Sequence, residues 1–345
     1  MIKPCVIFFT NGDIITGFGH ISRSLVIADV FRTMNHQVVF LIKDDSPFQE
    51  TLRNNGYEVF QTSSFDENEA STSIKRIQQV MNVQLAIIDL VETEYNRLYW
   101  LRARYPSLFI VSITLFLFDL KNRYEHLSFF PSLNLSKKEQ IIGRYGKFKL
   151  MSGKDYFTFR KEFKDIERIQ RKSANKILIT MGGSDPHGFT LKVLNSIQNS
   201  DYKITVILSS ISPKYQEVQE LCKSFEKNIT LLNTSKNMAE EMCNNDIIIL
   251  NGGLTRYEAC LTKTPFIAIS IHKLQYKITK QLTDLGVGVN LGIGDELGFN
   301  EIGETIADLL KSHKRRVTMA KNMKNIIDAH GAERIYNETI MSYIS

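Results

Sequence analysis

The chain has 345 residues, 43% of them hydrophobic and 23% charged, with a net charge of +6. That length passes the roughly 250–300 residues at which single cores stop growing, so two domains are expected, and the composition is globular rather than disordered, fibrous or membrane-spanning. The basic excess is small and dispersed, which suits a small polyanion such as a nucleotide and gives no ground for a nucleic-acid partner.

The basic clusters over 168–172 and 311–316 read as solvated helix faces. Four cysteines, Cys5, Cys222, Cys243 and Cys260, form no Cys-x-x-Cys and no metal-ligand spacing. So few in so long a chain fit a reducing compartment. Lys3-Pro4 runs straight into a short apolar strand rather than a signal peptide, and no apolar run approaches the ~18–20 residues that span a membrane. A cytoplasmic protein is expected.

From the N-terminus, short apolar runs alternate with helical patterns. Strands are expected over 5–10, 38–42, 57–60, 85–89 and 108–113. Between them lie helices over 21–34, 46–54 (ending at Asn55-Gly56, a C-cap signal), around 74–81 and over 94–105. Such alternation predicts a parallel sheet covered by helices on both faces, with ligands beyond the carboxyl ends of the strands. The region 115–156 is less regular; its apolar stretches Leu115-Phe-Leu-Phe118 and Phe129-Phe130 read as core or interdomain packing, or as a lip for a lipid or bulky acceptor. The charged run 160–172 suits a linker or surface helix, with a hinge near 160–175. A second alternating series follows, with strands over 176–181, 203–208, 229–232, 247–250 and 266–269 and a helix over 189–197. Helices over 302–310 and 316–344 close the chain, the last broken at His330-Gly331-Ala332. The expected domains are 1–160, a linker over 161–175, 176–325, and a terminal helical segment over 326–345 that packs back on the first domain.

Three turns carry the chemistry. Thr16-Gly17-Phe-Gly19-His20-Ile-Ser-Arg23 joins the first strand to the first helix. Its glycines permit a tight turn, and its imidazole sits at a helix start, where free N–H groups favour an anion. Asn251-Gly252-Gly253-Leu254-Thr-Arg-Tyr-Glu258 follows a strand and opens a helix. Gly252 and Gly253 leave room for phosphate oxygens near backbone N–H groups, and Glu258, one turn on, is placed to accept from a ribose hydroxyl or to be a solvated side chain. Met181-Gly182-Gly183-Ser184 makes a similar turn in the same domain, so two loops are expected to converge on one ligand. None of them has P-loop spacing. Asp13 and Asp44-Asp45 read as loop residues rather than a metal motif.

These motifs, with Gly153-Lys-Asp-Tyr-Phe-Thr-Phe-Arg160 and Gly331-Ala-Glu-Arg-Ile335, occur in the order seen in the PseG/SpsG family, which the chain resembles over nearly its whole length. That family comprises UDP-sugar hydrolases of pseudaminic acid biosynthesis and spore-coat polysaccharide relatives, and is similar to the MurG glycosyltransferases. The resemblance implies a GT-B fold, an α/β architecture of two doubly wound, Rossmann-like domains facing each other across a cleft. It implies His20 as the base that deprotonates the water or acceptor hydroxyl attacking the anomeric carbon. It implies Gly252–Gly253 at the diphosphate, Glu258 at the ribose and Gln275 at the sugar or phosphate, with Gly17, Gly19, Gly182, Gly183, Ser184, Asn251 and Leu254 completing the binding loops. Arg23 orients the loop or the substrate. No metal and no cofactor is called for.

The chain departs from the family pattern on the sugar side. Phe9-Thr10-Asn11 replaces an Arg-x-Asp, Thr114–Leu117 replaces an Asp pair, and Leu274-Gln275 replaces Asn-Gln. These departures point to a different sugar and to an acceptor other than water, while the resemblance as a whole makes hydrolysis of a UDP-sugar at the anomeric carbon the leading expectation. Transfer of the sugar to a hydroxyl acceptor is the alternative, and a silent nucleotide-sugar binding protein is the third reading. Peripheral membrane contact stays open.

Overall fold

A computed structural model describes residues 4–12, 19–114, 120–133, 137–224 and 228–345. Gly17, Asp13 and the apolar stretch 115–118 lie outside the described residues. The chain divides into two compact units, Met1–Phe159 with Ala329–Ser345, and Arg160–Asp328.

The first unit begins β1 (Cys5–Thr10), α1 (Gly19–Thr33), β2 (Val38–Lys43), α2 (Gln49–Asn54), β3 (Glu58–Thr62), α3 (Glu67–Val80) and β4 (Val83–Asp89). It continues through α4 (Glu92–Arg97), α5 (Leu101–Arg104), β5 (Phe109–Ile113), β6 (Leu127–Pro131), β7 (Lys137–Gly143) and β8 (Gly146–Gly153). All six residues of β1 are buried, as expected for a strand covered on both faces, whose sequence is then continuously apolar rather than alternating. The sheet order is β3-β2-β1-β4-β5-β6-β8-β7, parallel except where β7 pairs antiparallel with β8. On one face α1 lays down Ile27, Ala28 and Phe31 at helical spacing; on the other, α3 contributes Ala70, Ile74 and Ile77.

The second unit runs β9 (Lys176–Thr180), α6 (Phe189–Ser196), β10 (Lys203–Ile207), α7 (Tyr215–Lys223), β11 (Ile229–Leu232), α8 (Met238–Asn244) and β12 (Ile247–Asn251). Then come α9 (Thr255–Leu261), β13 (Phe266–Ser270), α10 (Lys273–Thr283), β14 (Gly288–Ile293), α11 (Phe299–Lys311) and α12 (His313–Asn322). Its sheet is β11-β10-β9-β12-β13-β14, parallel throughout. The last helix, α13 (Gly331–Ile344), belongs to the first unit. Gly331 is required there, because a Cβ at that position would lie 1.9 Å from the Phe157 carbonyl oxygen.

Three expectations need correction. The irregular region after β5 contains three strands; within it Phe129 of β6 is wholly buried, in line with the core reading of that stretch. The helix expected over 94–105 is two short helices. Within the clusters 168–172 and 311–316, Arg171, Lys172, Lys311, Lys314 and Arg315 are exposed as expected, but Arg168 and Arg316 are not. Arg168 donates to the Met242 carbonyl at 2.6 Å and to that of Asn245. Arg316, 0% exposed, donates to the Leu309 carbonyl at 2.9 Å, to that of Leu310, and to Arg171 and Lys172 carbonyls at 3.0 and 3.2 Å. Both arginines satisfy carbonyls at the ends of helices, α8 and α11, that would otherwise lack donors. Asp246 completes the strap by accepting from the Asn175 and Lys176 amides at 3.0 and 2.9 Å. The segment around 168–176 is therefore bonded into the second unit rather than being a free linker.

Candidate functional site

In open parallel sheets the ligand crevice forms where the strand order reverses. In the first unit that point lies between β1 and β4, and in the second between β9 and β12. The described residues singled out in the three sequence turns fall at these two places.

At the first, the register pairs Thr10 with Asp89, so both strands end level at the carboxyl edge. The loop after β1 leads to α1, which places His20 in its first turn and Arg23 one turn further on. Asp89 is completely buried. His20 Nδ1 lies 2.6 Å from Asp89 Oδ1. Arg23 donates from Nε to Oδ2 at 2.6 Å and from Nη2 to Oδ1 at 2.5 Å, a two-pronged clamp. Burial alone would push the Asp89 carboxyl up, but Arg23 first and His20 second outweigh it and hold Asp89 below the usual carboxylate range. An ionised carboxylate can only accept, so the proton in the 2.6 Å contact belongs to His20 Nδ1. In the neutral imidazole Nε2 then carries the lone pair. The His20 side chain is 15% exposed, against 0% for Asp89. Gly19 is exposed, with open space where a Cβ would stand.

Asp89 was not recognised in the sequence. The available signal was its position, an acidic residue closing an otherwise apolar buried strand at the edge where ligands bind. Its two partners lie 69 and 66 residues away in sequence, a distance no local pattern reports.

At the second switch point Asn251 ties the two glycine turns together. Its Nδ2 donates to the Met181 carbonyl at 2.7 Å, and its Oδ1 accepts from the Gly253 amide at 3.1 Å. Gly182 has φ +83°, a left-handed backbone, and a Cβ there would stand 3.0 Å from Asn251 Nδ2. The amides that open α6 are already taken, Phe189 and Thr190 donating to the Asp185 carboxylate at 3.0 and 2.8 Å. Gly183 is exposed and Ser184 buried beside them. The space next to Gly252 is filled by α10, since a Cβ would meet Gln275 Cγ at 2.4 Å and Thr279 Oγ1 at 2.6 Å. Gly252 therefore permits close packing of α10, and the Gly253 amide is spent on Asn251. The Leu254 and Thr255 amides have no acceptor among the described residues. Gln275 lies beside the turn, its Oε1 accepting from the Ile271 amide at 2.6 Å. His272 caps α10 by accepting from the Gln275 amide at 3.3 Å.

Glu258 sits one turn into α9 with its side chain 16% exposed, so it is not freely solvated. Arg160 Nη2 is 3.9 Å from its Oε1, and Arg160 Nη1 is 3.2 Å from Glu162. Burial pushes the Glu258 carboxyl up to about 7; Arg160 opposes the shift and Glu162 adds to it. Asp44 and Asp45 are exposed turn residues. Leu274 is 63% exposed at the start of α10.

No protein-family model matches the chain. It is similar to an uncharacterised protein of Methanocaldococcus jannaschii, 28% identical over 292 residues, 78% of this chain and 56% of that protein. It is also similar to the spore coat polysaccharide biosynthesis protein SpsG of Bacillus subtilis, 24% identical over 196 residues, 55% of this chain and 58% of that one. The chain thus spans less than two thirds of the length of these curated relatives. Among solved structures it superposes on MurG of Acinetobacter baumannii with a TM-score of 0.71 at 14% identity, covering 98% of this chain and 100% of that one. It superposes on the spinosyn forosaminyltransferase SpnP with a TM-score of 0.66 at 11% identity, covering 98% and 100%. The two parallel-sheet α/β units are those of the GT-B fold. No described helix is long and apolar enough to cross a membrane.

Proposed function

We propose that this chain is an enzyme acting on a UDP-sugar, breaking the bond between the anomeric carbon and the diphosphate and releasing UDP and free sugar. The observation that carries the reading is the imidazole at the first switch point. Its Nδ1 is held at 2.6 Å by a buried carboxylate, which leaves Nε2 as the acceptor. A histidine so held is suited to general-base work near neutrality. His20 takes the proton of the attacking hydroxyl as the new carbon–oxygen bond forms, and the electrons of the breaking bond leave with UDP.

The second switch point supplies nucleotide recognition in this reading. Glu258 accepts from ribose hydroxyls, the Leu254 and Thr255 amides are offered to the diphosphate, and Gln275 stands beside the turn for the phosphate or sugar. Gly19, Gly182, Gly183, Ser184, Asn251 and Leu254 shape the loops that present these groups. The likeness to SpsG, named for polysaccharide biosynthesis, supports a role in making a surface glycan, including the nonulosonic-acid chemistry suggested by the motif order. A second reading, transfer of the sugar to a hydroxyl acceptor, draws support from the solved neighbours, SpnP among them, that are named as sugar transferases. The three altered positions on the sugar side suit a sugar or acceptor unlike the family's.

A panel of UDP-sugars and other nucleotide-sugars, with and without acceptors, separates the readings. UDP with free sugar in the absence of acceptor supports hydrolysis. Turnover only with acceptor replaces it by transfer, and binding without turnover rejects both.

A further inference from the structure

Arg23 is 4% exposed and spends its guanidinium on Asp89. A side chain closed off in this way is poorly placed to orient a substrate, the task its place in the motif suggested. Its geometry gives it a different one. His20 Nδ1 at 2.6 Å and Arg23 Nη2 at 2.5 Å converge on the same oxygen, Asp89 Oδ1. The two nitrogens are 3.2 Å apart. Two donors so close together are held only by a charged acceptor. We infer that Arg23 is a positioning residue that fixes His20 as the tautomer protonated on Nδ1, with the lone pair on Nε2, by keeping Asp89 an ionised, acceptor-only carboxylate. The inference rests on the reading of His20 as the base.

The alternative state shows why the cation matters. A carboxylate in a dry interior with no cation takes up a proton. A neutral Asp89 would carry an O–H able to donate to Nδ1, and the imidazole proton would then reside on Nε2, the nitrogen that has to accept. Burial is the largest influence on Asp89 and acts in that direction; Arg23 leads the groups that reverse it. The bidentate geometry adds a second constraint. With Nε on Oδ2 and Nη2 on Oδ1, the carboxylate plane is fixed and Oδ1 faces His20. Lysine would keep the charge but lose the fork.

The tautomer can be read directly from the ring-nitrogen shifts of 15N-histidine-labelled full-length protein, with His20 identified by its absence in His20→Ala. The wild type should show Nδ1 protonated and Nε2 unprotonated. Arg23→Met should move the proton to Nε2, and Arg23→Lys should retain the wild-type pattern in large part. If Arg23→Met does not fold, the paired variant Arg23→Gln with Asp89→Asn removes both charges together and should show the same move. Turnover should fall in kcat with KM held, by up to about 10⁴-fold if the wrong tautomer dominates. An Nδ1-protonated His20 in Arg23→Met or in the paired variant overturns the inference. The spectra require no turnover, so the two claims separate. Expected tautomers in a protein that processes no nucleotide-sugar reject the proposed function while supporting the positioning role. Turnover in the wild type with an unmoved tautomer rejects the positioning role alone.

Discussion

The two switch points are built on the same topology and solved in opposite ways. Between β1 and β4 the chain places charge, an imidazole, a guanidinium and a carboxylate, two of them shut away from water. Between β9 and β12 it places two glycine turns tied by one neutral amide, Asn251, with the Asp185 carboxylate occupied by helix amides and Glu258 a turn deeper. A buried charge cluster is costly unless every member is paired, but once paired it fixes a proton on one atom. A glycine turn costs backbone entropy and holds no proton, but it brings backbone amides within reach of a ligand. The contrast separates a place suited to moving a proton from a place suited to holding an anion.

The sharpest way to break that separation is His20→Ala. Turnover should fall by roughly 10²–10⁴, the worth of a general base, while UDP affinity measured by calorimetry stays within a few-fold. A matching loss of UDP affinity would put His20 in nucleotide binding instead. Asp89→Ala tests the same place through stability. It leaves the Arg23 cation buried without a partner, so urea unfolding should show a loss of about 3–5 kcal/mol. A change under about 1 kcal/mol would mean that the cluster is not dry.

Smaller effects are expected on the second side. Glu258→Ala should weaken UDP binding by about 1–3 kcal/mol if a hydrogen bond to a ribose hydroxyl is lost, with kcat little changed. The carboxyl also has a pH signature. The folded-state carboxyl is raised from 4.5 to about 7, so in that window the folded state binds more protons than the unfolded one, and stability falls as pH rises from 4.5 through 7. In Glu258→Gln this part of the slope should vanish; an unchanged slope would show that Glu258 is well solvated. Gly252→Ala should cost about 1–3 kcal/mol of stability by overpacking, because its Cβ would fall 2.4 Å from Gln275 Cγ. A neutral result there would show that α10 can move away from the turn.

How much of this was legible in the chain depended on where the partners lie. The parallel strands were readable because strands buried on both faces are written as continuous apolar runs, as in Val6 to Phe9 and Ile247 to Leu250. The strands after β5 were not. Ser112 of β5 and Ser128 of β6 join Arg123 and Glu125 in a buried polar network, and polar residues in a sheet interior erase the apolar signal. Arg168 and Arg316 looked solvated because a charge pattern cannot show that the guanidinium will cap carbonyls of a helix packed beside it. The glycine turns and His20 were visible as motifs. Asp89 was visible only as the end of a strand, since its partners His20 and Arg23 are brought to it by α1.

The most direct test of the account is to run the nucleotide-sugar reaction in H2(18)O and weigh the UDP released. Attack on the anomeric carbon served by His20 leaves the UDP unlabelled, with the new oxygen on the sugar. Label in the β-phosphate of UDP would put the attack on phosphorus and contradict the assignment of His20 as the base for attack at carbon.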